Sequence, residues 1–93
     1  MIRSFRSSEA EKVFLRKHSQ KLPPTIQRIA MRKLWILDAV TDLEELRAPP
    51  GNHMEALRGD RKGQYSLRIN RQWRICFRWQ SGDAHDVEIT DYH

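Results

Sequence analysis

The chain has 93 residues, of which 39% are hydrophobic and 31% charged, and its 17 Lys and Arg against 12 Asp and Glu give a net charge of +5. This length allows one domain with one core, so we expect a single domain over residues 1–93. The apolar runs are too short for a membrane span, the N-terminus is polar without a secretory signal, and the single cysteine excludes an internal disulfide, so we expect a cytoplasmic protein.

The first half of the chain predicts one short strand and two helices. Residues 2–5 partly alternate and predict the strand. Ser8 and Glu11 have the spacing of a capping box, with Ser8 as the N-cap, and predict a helix to about Lys17. A second helix is predicted to begin near Pro24, a residue suited to the first helical turn. Its apolar residues recur at helical spacing: Ile26, Ile29, Ala30, Leu34, Leu37 and Val40.

Three cations of the second predicted helix, Arg28, Arg32 and Lys33, lie off this apolar stripe. They are chemically able to contact RNA, but a solvated helix face is the commoner role of such residues, and we expect it here. Trp35 is expected in the core or at a partner interface rather than as a platform for stacking bases.

The second half of the chain predicts antiparallel strands. Residues 53–57 predict a short strand, and residues 59–63 a turn bracketed by two glycines. Alternation over 65–69 and 73–79, interrupted at 70–72, predicts a β-hairpin, and a turn at 81–83 leads into a last strand. We therefore predict an α+β fold in which two N-terminal helices pack on a mainly antiparallel sheet of four to five strands.

The hairpin separates apolar from basic side chains. Tyr65, Leu67, Ile75 and Phe77 fall on one face, and Arg68, Arg74 and Arg78 are predicted to cluster on the other. Residues 58–78 carry seven cations against one acid, whereas residues 80–93 carry four acids and no Lys or Arg. Cross-strand ion pairs and phosphate binding both fit this pattern, and the local excess of cations favours phosphate.

Familiar catalytic patterns are missing from the sequence. Cys76 is alone, the four histidines are scattered, and neither a glycine-rich phosphate loop nor a serine nucleophile is recognisable. We therefore predict no metal and no cofactor, and interpret Cys76 as a buried thiol. The remaining candidates are the arginine-rich face and the pair Tyr92-His93.

That combination suits metal-free cleavage of RNA by its own 2′-hydroxyl. Arginine side chains hold phosphate oxygens in a planar fork and stabilise charge in the transition state, but they do not transfer protons. His93, Tyr92 and Glu55 are the candidates for proton transfer. The alternative for Tyr92 and His93 is a purely structural terminus.

Several segments resemble the HigB-type toxins of the RelE superfamily, which are toxins of bacterial type II toxin–antitoxin modules. The likeness spans nearly the whole chain and rests on Met-Ile-Arg-Ser-Phe at the start, Pro-Pro-Gly-Asn at 49–52, Glu-Ala-Leu-Arg-Gly-Asp-Arg at 55–61, Gly-Gln-Tyr-Ser-Leu-Arg-Ile-Asn at 63–70, Gln-Trp-Arg-Ile-Cys-Phe at 72–77 and the final Asp-Tyr-His.

This resemblance implies a compact RelE-like domain that enters the ribosomal A site and cleaves mRNA during translation. It implies that the partners are the ribosome, mRNA and a HigA-like helix-turn-helix antitoxin, and that operator DNA is contacted only through the antitoxin complex. By matching motif positions, the catalytic residues would be Arg58, Arg68, Arg74, Tyr92 and His93. Four further cations are expected to hold RNA or the ribosome: Arg61, Lys62, Arg71 and Arg78.

Two departures from the family pattern concern proton transfer. Arg58 stands where lysine is frequent, and Glu55 where some relatives have histidine. Two rival functions remain open: a ParE-like toxin that poisons gyrase without nucleolysis, and a degenerate toxin that acts only as a co-repressor. The Tyr92-His93 pair argues against the first of these.

Overall fold

The computed structural model describes residues 1–91, so the predicted site residues Tyr92 and His93 lie outside the described residues. Its first layer contains two helices, α1 (Ser8–Phe14) and α2 (Pro24–Ala39). Pro24 occupies the first turn of α2, as predicted. No helix within residues 1–91 is long and apolar enough to cross a membrane.

The start of α1 differs from the sequence prediction by one residue. Ser7, with extended backbone angles, is the N-cap, and its Oγ accepts a 3.3 Å hydrogen bond from the backbone N–H of Ala10. Ser8 is already helical, so the predicted cap at Ser8 with Glu11 as its reciprocal partner is wrong. The helix also ends at Phe14 rather than near Lys17.

The second layer is an antiparallel sheet of four strands in the order β1-β2-β3-β4. The strands are β1 (Glu55–Ala56), β2 (Gln64–Arg68), β3 (Trp73–Gln80) and β4 (Asp83–Asp91). The predicted hairpin is confirmed as β2 and β3. Short 3₁₀ turns at Leu43–Leu46, Pro50–Asn52 and Gly59–Arg61 connect the elements before β2.

The N-terminal segment runs parallel to β4 but forms bridges rather than a continuous fifth strand. Ile2 bridges Ala84 and Phe5 bridges Val87. Between these two bridges β4 carries a bulge, where Asp86 has a φ of 53° and the pairing with β3 shifts register. A bulge bends its strand and interrupts the ladder, which explains why the predicted first strand is reduced to two bridges.

The core lies between α2 and one face of the sheet. Leu67, Ile75 and Phe77 are fully buried there, and Val87 joins them from β4. The predicted stripe of α2 is confirmed except at Ile29, which is 41% exposed. Burying side chains of this size stabilises the folded state by about 1.5–3 kcal/mol each. Packing against α2 therefore occupies this face of the sheet and leaves the opposite face for a functional site.

Candidate active site on the polar face of the sheet

The sheet face opposite the helices carries polar residues in cross-strand rows. In one row, Ser66 of β2 lies between Glu55 of β1 and Cys76 of β3. In the next row, Arg68 of β2 lies directly opposite Arg74 of β3. Directly opposed residues point to the same face, so the strand register brings two predicted catalytic arginines side by side.

The Arg74 guanidinium is held in place by three neighbours. Its Nε donates a 2.7 Å hydrogen bond to Ser66 Oγ, and its Nη2 donates a 2.6 Å bond to the carbonyl oxygen of His53. Glu55 Oε1 lies 3.9 Å from the same Nη2. The side chain is only 11% exposed, although arginine has five N–H donors. Within residues 1–91 it therefore retains donors for a ligand in a preformed geometry.

Arg68 is oriented by the hairpin turn. Its Nε donates a 3.1 Å hydrogen bond to the carbonyl oxygen of Asn70. Asn70 also shapes the turn, because its Oδ1 accepts from the backbone N–H groups of Gln72 at 2.9 Å and Trp73 at 2.8 Å. No carboxylate in the described part of the chain forms an ion pair with Arg68. The strand register thus brings two positively charged side chains to adjacent positions on this face, a combination suited to binding an anion.

Lys33 of α2 reaches this site from the helical layer. Its ammonium donates to the carbonyl oxygen of Gly51 at 2.7 Å and to the carbonyl oxygen of Arg68. Burial lowers the pKa of Lys33, and the positive charges of Arg74 and Arg68 lower it further. The solvated-face interpretation of Lys33 is therefore wrong, and the helical periodicity alone carried no signal for this contact.

The other end of the polar face is neutralised by ion pairs. Arg61 Nη2 lies 3.4 Å from Glu88 Oε1, and Arg78 Nε lies 3.6 Å from Asp86 Oδ2. Arg78 is four residues along β3 from Arg74, about 13 Å at the usual rise of a strand, so it does not join the arginine pair as the sequence predicted. The predicted cross-strand ion pairs are therefore present at this end of the polar face. The excess positive charge lies at Arg68 and Arg74.

Cys76 lies between these two ends of the face. It is fully buried, as predicted, and it lies on the polar side of the sheet, the side to which strand alternation assigns it together with Arg74 and Arg78. Burial raises the pKa of its thiol, while the nearby Arg61 counteracts that effect. A buried thiol of this kind is protonated at neutral pH and is a poor nucleophile.

Three further predicted site residues, Arg58, Lys62 and Arg71, are exposed. No hydrogen bond or ion pair holds the side chain of any of them within residues 1–91. Arg58 lines an open cleft of about 550 Å³ together with Arg47 and Glu55. Because Glu55 lies beside Arg74, this cleft adjoins the arginine pair, although Arg58 makes no contact with that pair.

A second cleft, of about 540 Å³, lies between α1 and α2 and is lined by Arg16, Arg28 and Trp35 among others. The Arg16 guanidinium lies 4.6 Å from the centre of the Trp35 ring, and Trp35 Nε1 donates to the carbonyl oxygen of Phe14 at 3.1 Å. Trp35 is thus engaged by α1 and its neighbour, which agrees with the expectation that it does not serve as a free stacking platform.

The described site has the positive charge and the hydrogen-bond donors that phosphodiester binding requires. Among residues 1–91, no group of three or more His, Cys, Asp or Glu side chains is placed to hold a metal ion. Arginine keeps its positive charge at neutral pH and so does not serve as a general acid or base. Glu55 is the described carboxylate beside Arg74, and His53 is the described histidine next to it.

Comparison with known proteins gives a family match over residues 3–93, to the HigB-like toxins, described as RelE-like toxins of the type II toxin–antitoxin system HigB. The chain is similar to Toxin HigB-1 of Vibrio cholerae serotype O1, with 44% identity over 76 residues that span 82% of this chain and 80% of the relative. It is also similar to Endoribonuclease HigB of Proteus vulgaris, with 32% identity over 94 residues that span both chains completely.

Two solved structures share the fold at low sequence identity. A point mutant of YafQ from E. coli aligns with a TM-score of 0.57 and 15% identity, covering 98% of this chain and 93% of that one. A chain of the heterotetrameric YoeB–YefM toxin–antitoxin complex from Staphylococcus aureus aligns with a TM-score of 0.55 and 18% identity, covering 100% and 98%. The predicted RelE-like α+β architecture is confirmed.

Proposed function

We propose that this chain, which belongs to the HigB-like family of RelE-like toxins of type II toxin–antitoxin systems, cleaves mRNA in the A site of the ribosome without a metal ion. It is a toxin and an endoribonuclease, as its family and its relatives in Vibrio and Proteus indicate. Cleavage of mRNA inhibits translation and growth. The dependence on the ribosome is the further step that we propose.

The observation that carries the proposal is the register that sets Arg68 opposite Arg74. Two like charges in directly opposed positions destabilise a sheet unless an anion lies between them. A scissile phosphate is such an anion, and it gains negative charge as the 2′-oxygen approaches phosphorus. Guanidinium groups that are already oriented stabilise this charge without reorganising during the reaction.

The reaction needs no external nucleophile. The 2′-oxygen forms a bond to phosphorus while the bond to the 5′-oxygen breaks, which yields a 2′,3′-cyclic phosphate and a 5′-hydroxyl. One proton leaves the 2′-hydroxyl and one reaches the departing 5′-oxygen, so a base and an acid suffice. Held geometry supplies much of the remaining acceleration, because the attacking and leaving oxygens must be in line with phosphorus.

We assign the catalytic roles on this basis. Arg74 binds the scissile phosphate and stabilises its charge, and Arg68 and Arg58 position it. His93 is the general base, because histidine titrates closest to neutral pH, and Tyr92 is the acid or stacks on a base. The roles of His93 and Tyr92 can be exchanged without changing the overall balance of protons.

The surrounding cations hold ribosomal RNA in this proposal. The two that are exposed and unpaired within residues 1–91, Lys62 and Arg71, are suited to direct phosphate contacts. Arg61 and Arg78 would exchange their present carboxylate partners, Glu88 and Asp86, for phosphates. Such contacts release counterions, so ribosome binding should weaken steeply with salt.

An antitoxin is the cognate partner of a toxin of this family. We propose that it is a HigA-like helix-turn-helix protein and that operator DNA is contacted only through the toxin–antitoxin complex. We also propose that residues 1–93 act as one domain in the cytoplasm, where the ribosome is found.

The deciding experiment uses purified protein, a defined mRNA and programmed ribosomes, with primer extension to locate the cuts. Wild type, Arg74→Ala and a variant lacking His93 are each compared with and without ribosomes. We expect cuts that require ribosomes and disappear in both variants. An Arg74→Ala protein that cuts as fast as wild type would refute the assignment. No cuts from well-folded wild type would favour a gyrase-directed or co-repressor role, and gyrase would be assayed next.

A further inference from the structure

Lys33 joins two separate parts of the active site through backbone contacts. Its Nζ donates to the carbonyl oxygen of Gly51, in the turn before β1, and to the carbonyl oxygen of Arg68, at the end of β2. These carbonyl groups are 17 residues apart in sequence, and no strand pairing connects them directly. The Lys33 ammonium of α2 therefore bridges the turn and the strand that presents Arg68.

The turn held by Lys33 also controls Arg74. Gly51 lies in the Pro50–Asn52 turn, and the next residue after that turn is His53, whose carbonyl oxygen accepts the 2.6 Å hydrogen bond from Arg74 Nη2. His53 has a φ of 40°, in the left-handed region that few residues other than glycine adopt. On its other side the turn is anchored by Asn52, whose Nδ2 donates to the carbonyl oxygen of Leu46 at 3.1 Å.

We propose that Lys33 is a positioning residue that sets the relative placement of Arg68 and Arg74 by tying the Pro50–Asn52 turn to the end of β2. It donates to the main chain of Arg68 and to that of Gly51, which lies two residues before the carbonyl group that accepts from Arg74. The inference rests on the proposed function insofar as that placement serves to hold a phosphodiester. Lys33 itself takes no part in proton transfer or in the covalent steps.

The chemistry of the site explains why a lysine suits this position. An ammonium has three donors on a flexible stem, so it can satisfy two carbonyl oxygens that approach from different directions, whereas a planar guanidinium fork matches them poorly. The carbonyl oxygens offset part of the cost of placing a third cation beside two arginines. Three convergent positive charges also strengthen the attraction for a phosphate.

The test replaces Lys33 by Met, which keeps an unbranched stem and removes the ammonium. Arg32→Met is the matched control, because Arg32 is adjacent in α2, exposed and without a partner in the described chain. We expect Lys33→Met to lower the single-turnover cleavage constant on programmed ribosomes about 10- to 100-fold with little change in KM. The control should stay within about twofold of wild type. Lys33→Arg should recover part of the rate.

A double-mutant cycle separates positioning from a general loss of stability. If Lys33 acts through the arginines, Lys33→Met should lower the residual rate of Arg74→Ala by a clearly smaller factor than it lowers the wild-type rate, because only the placement of Arg68 is then left to lose. Effects that simply multiply would overturn the proposal, as would a folded Lys33→Met protein that cleaves at the wild-type rate.

A readout without catalysis keeps the inference separate from the proposed function. The Nε–H protons of Arg68 and Arg74 are hydrogen-bonded in the free protein and should exchange slowly with water, which ¹⁵N NMR detects. Lys33→Met should speed the Arg74 exchange about tenfold, and Lys33→Arg, which replaces it if the first variant does not fold, should speed the exchange by a smaller factor. Unchanged exchange would overturn the proposal. Wild type that fails to cleave would refute only the nuclease function, and the NMR result would still decide the role of Lys33.

Discussion

Arg68 and Arg74 face each other directly across the β2–β3 pair, with no carboxylate of the described chain bound to Arg68. Directly opposed like charges cost some stability, and in the proposed function the phosphate of the RNA offsets that cost. Arg68→Ala should therefore lower the single-turnover cleavage constant about 100-fold while leaving the free energy of unfolding within about 1 kcal/mol of wild type. Ribosome-programmed cleavage and urea denaturation test both halves of this expectation.

Arg78→Ala is the matched control for that experiment. It removes the same side chain from the same face, but from a position paired with Asp86 at 3.6 Å. We expect a smaller loss, confined to KM, because Arg78 contributes to binding rather than to the reacting phosphate. Equal losses of kcat in Arg68→Ala and Arg78→Ala would contradict the central role of the arginine pair.

Ser66 should affect both stability and catalysis. It is fully buried and accepts the hydrogen bond from Arg74 Nε. Ser66→Ala leaves this nearly buried guanidinium with an unmet donor, so we expect the free energy of unfolding to fall by about 1–3 kcal/mol. The cleavage constant should fall about tenfold because Arg74 loses one of its constraints.

Cys76→Ala is the appropriate comparison for Ser66→Ala. Cys76 lies directly opposite Ser66 and is equally buried, but it does not hold Arg74. Its replacement should lower stability through lost packing and leave the cleavage constant of the folded protein unchanged. Cleavage kinetics and thermal unfolding of the two variants distinguish these effects, and a loss of rate in Cys76→Ala equal to that in Ser66→Ala would show that packing alone explains it.

The unpaired cations should contribute more to ribosome binding than the paired ones. Arg71→Ala removes an exposed charge without a partner in residues 1–91. A plot of log ribosome affinity against log salt concentration should therefore become shallower, its slope smaller in magnitude by about one. Arg61→Ala should reduce affinity less, because Arg61 must first leave Glu88, 3.4 Å away. Ribosome binding measured across a salt series tests the order of these variants, and a larger effect at Arg61 would reverse our assignment.

Asp83 makes stability depend on pH in the acid range. The hydrogen bond from Arg3 at 3.1 Å, together with the α-amino group of Met1 at 3.2 Å, holds the pKa of this carboxyl below its ordinary value of 3.8. A lowered folded-state pKa means that the stabilisation is present above pH 3.8 and is lost as the pH falls through the lowered value.

Asp83→Asn isolates this contribution. The variant should be less stable than wild type at neutral pH, and the difference should be smaller at about pH 2, well below the ordinary carboxyl pKa of 3.8. Urea denaturation of both proteins at the two pH values measures the difference. A gap between them that persists unchanged in acid would mean that packing, rather than the charge of Asp83, accounts for the effect.

Several features were correctly predicted because they depend on local pattern. Alternation in the hairpin assigned Leu67 and Ile75 to the core and Arg68 and Arg74 to the opposite face. Pro24 was correctly placed in the first turn of α2. The capping prediction failed because neighbouring serines at 7 and 8 are chemically equivalent caps, and packing selects between them.

The errors elsewhere concern contacts between distant residues. Ile29 fits the helical stripe of α2 but is 41% exposed, since the sheet covers only part of that stripe. Lys33 looked like a surface cation, yet it binds the backbone of Arg68, 35 residues away. Sequence periodicity reports the direction of a side chain relative to its own helix and not what lies there.

The order of residues along the chain was therefore sufficient to assign the helical and sheet layers and to identify the basic face of the sheet. Successive side chains of a strand point to opposite faces whatever the neighbouring strands are. Which cations on that face remain available depended on the folded contacts. Arg61 meets Glu88 across 27 residues, and Arg68 meets Arg74 through strand register. Charge neutralisation acts over a few ångströms in space, so composition counts the charges while the three-dimensional pairing determines where the excess lies.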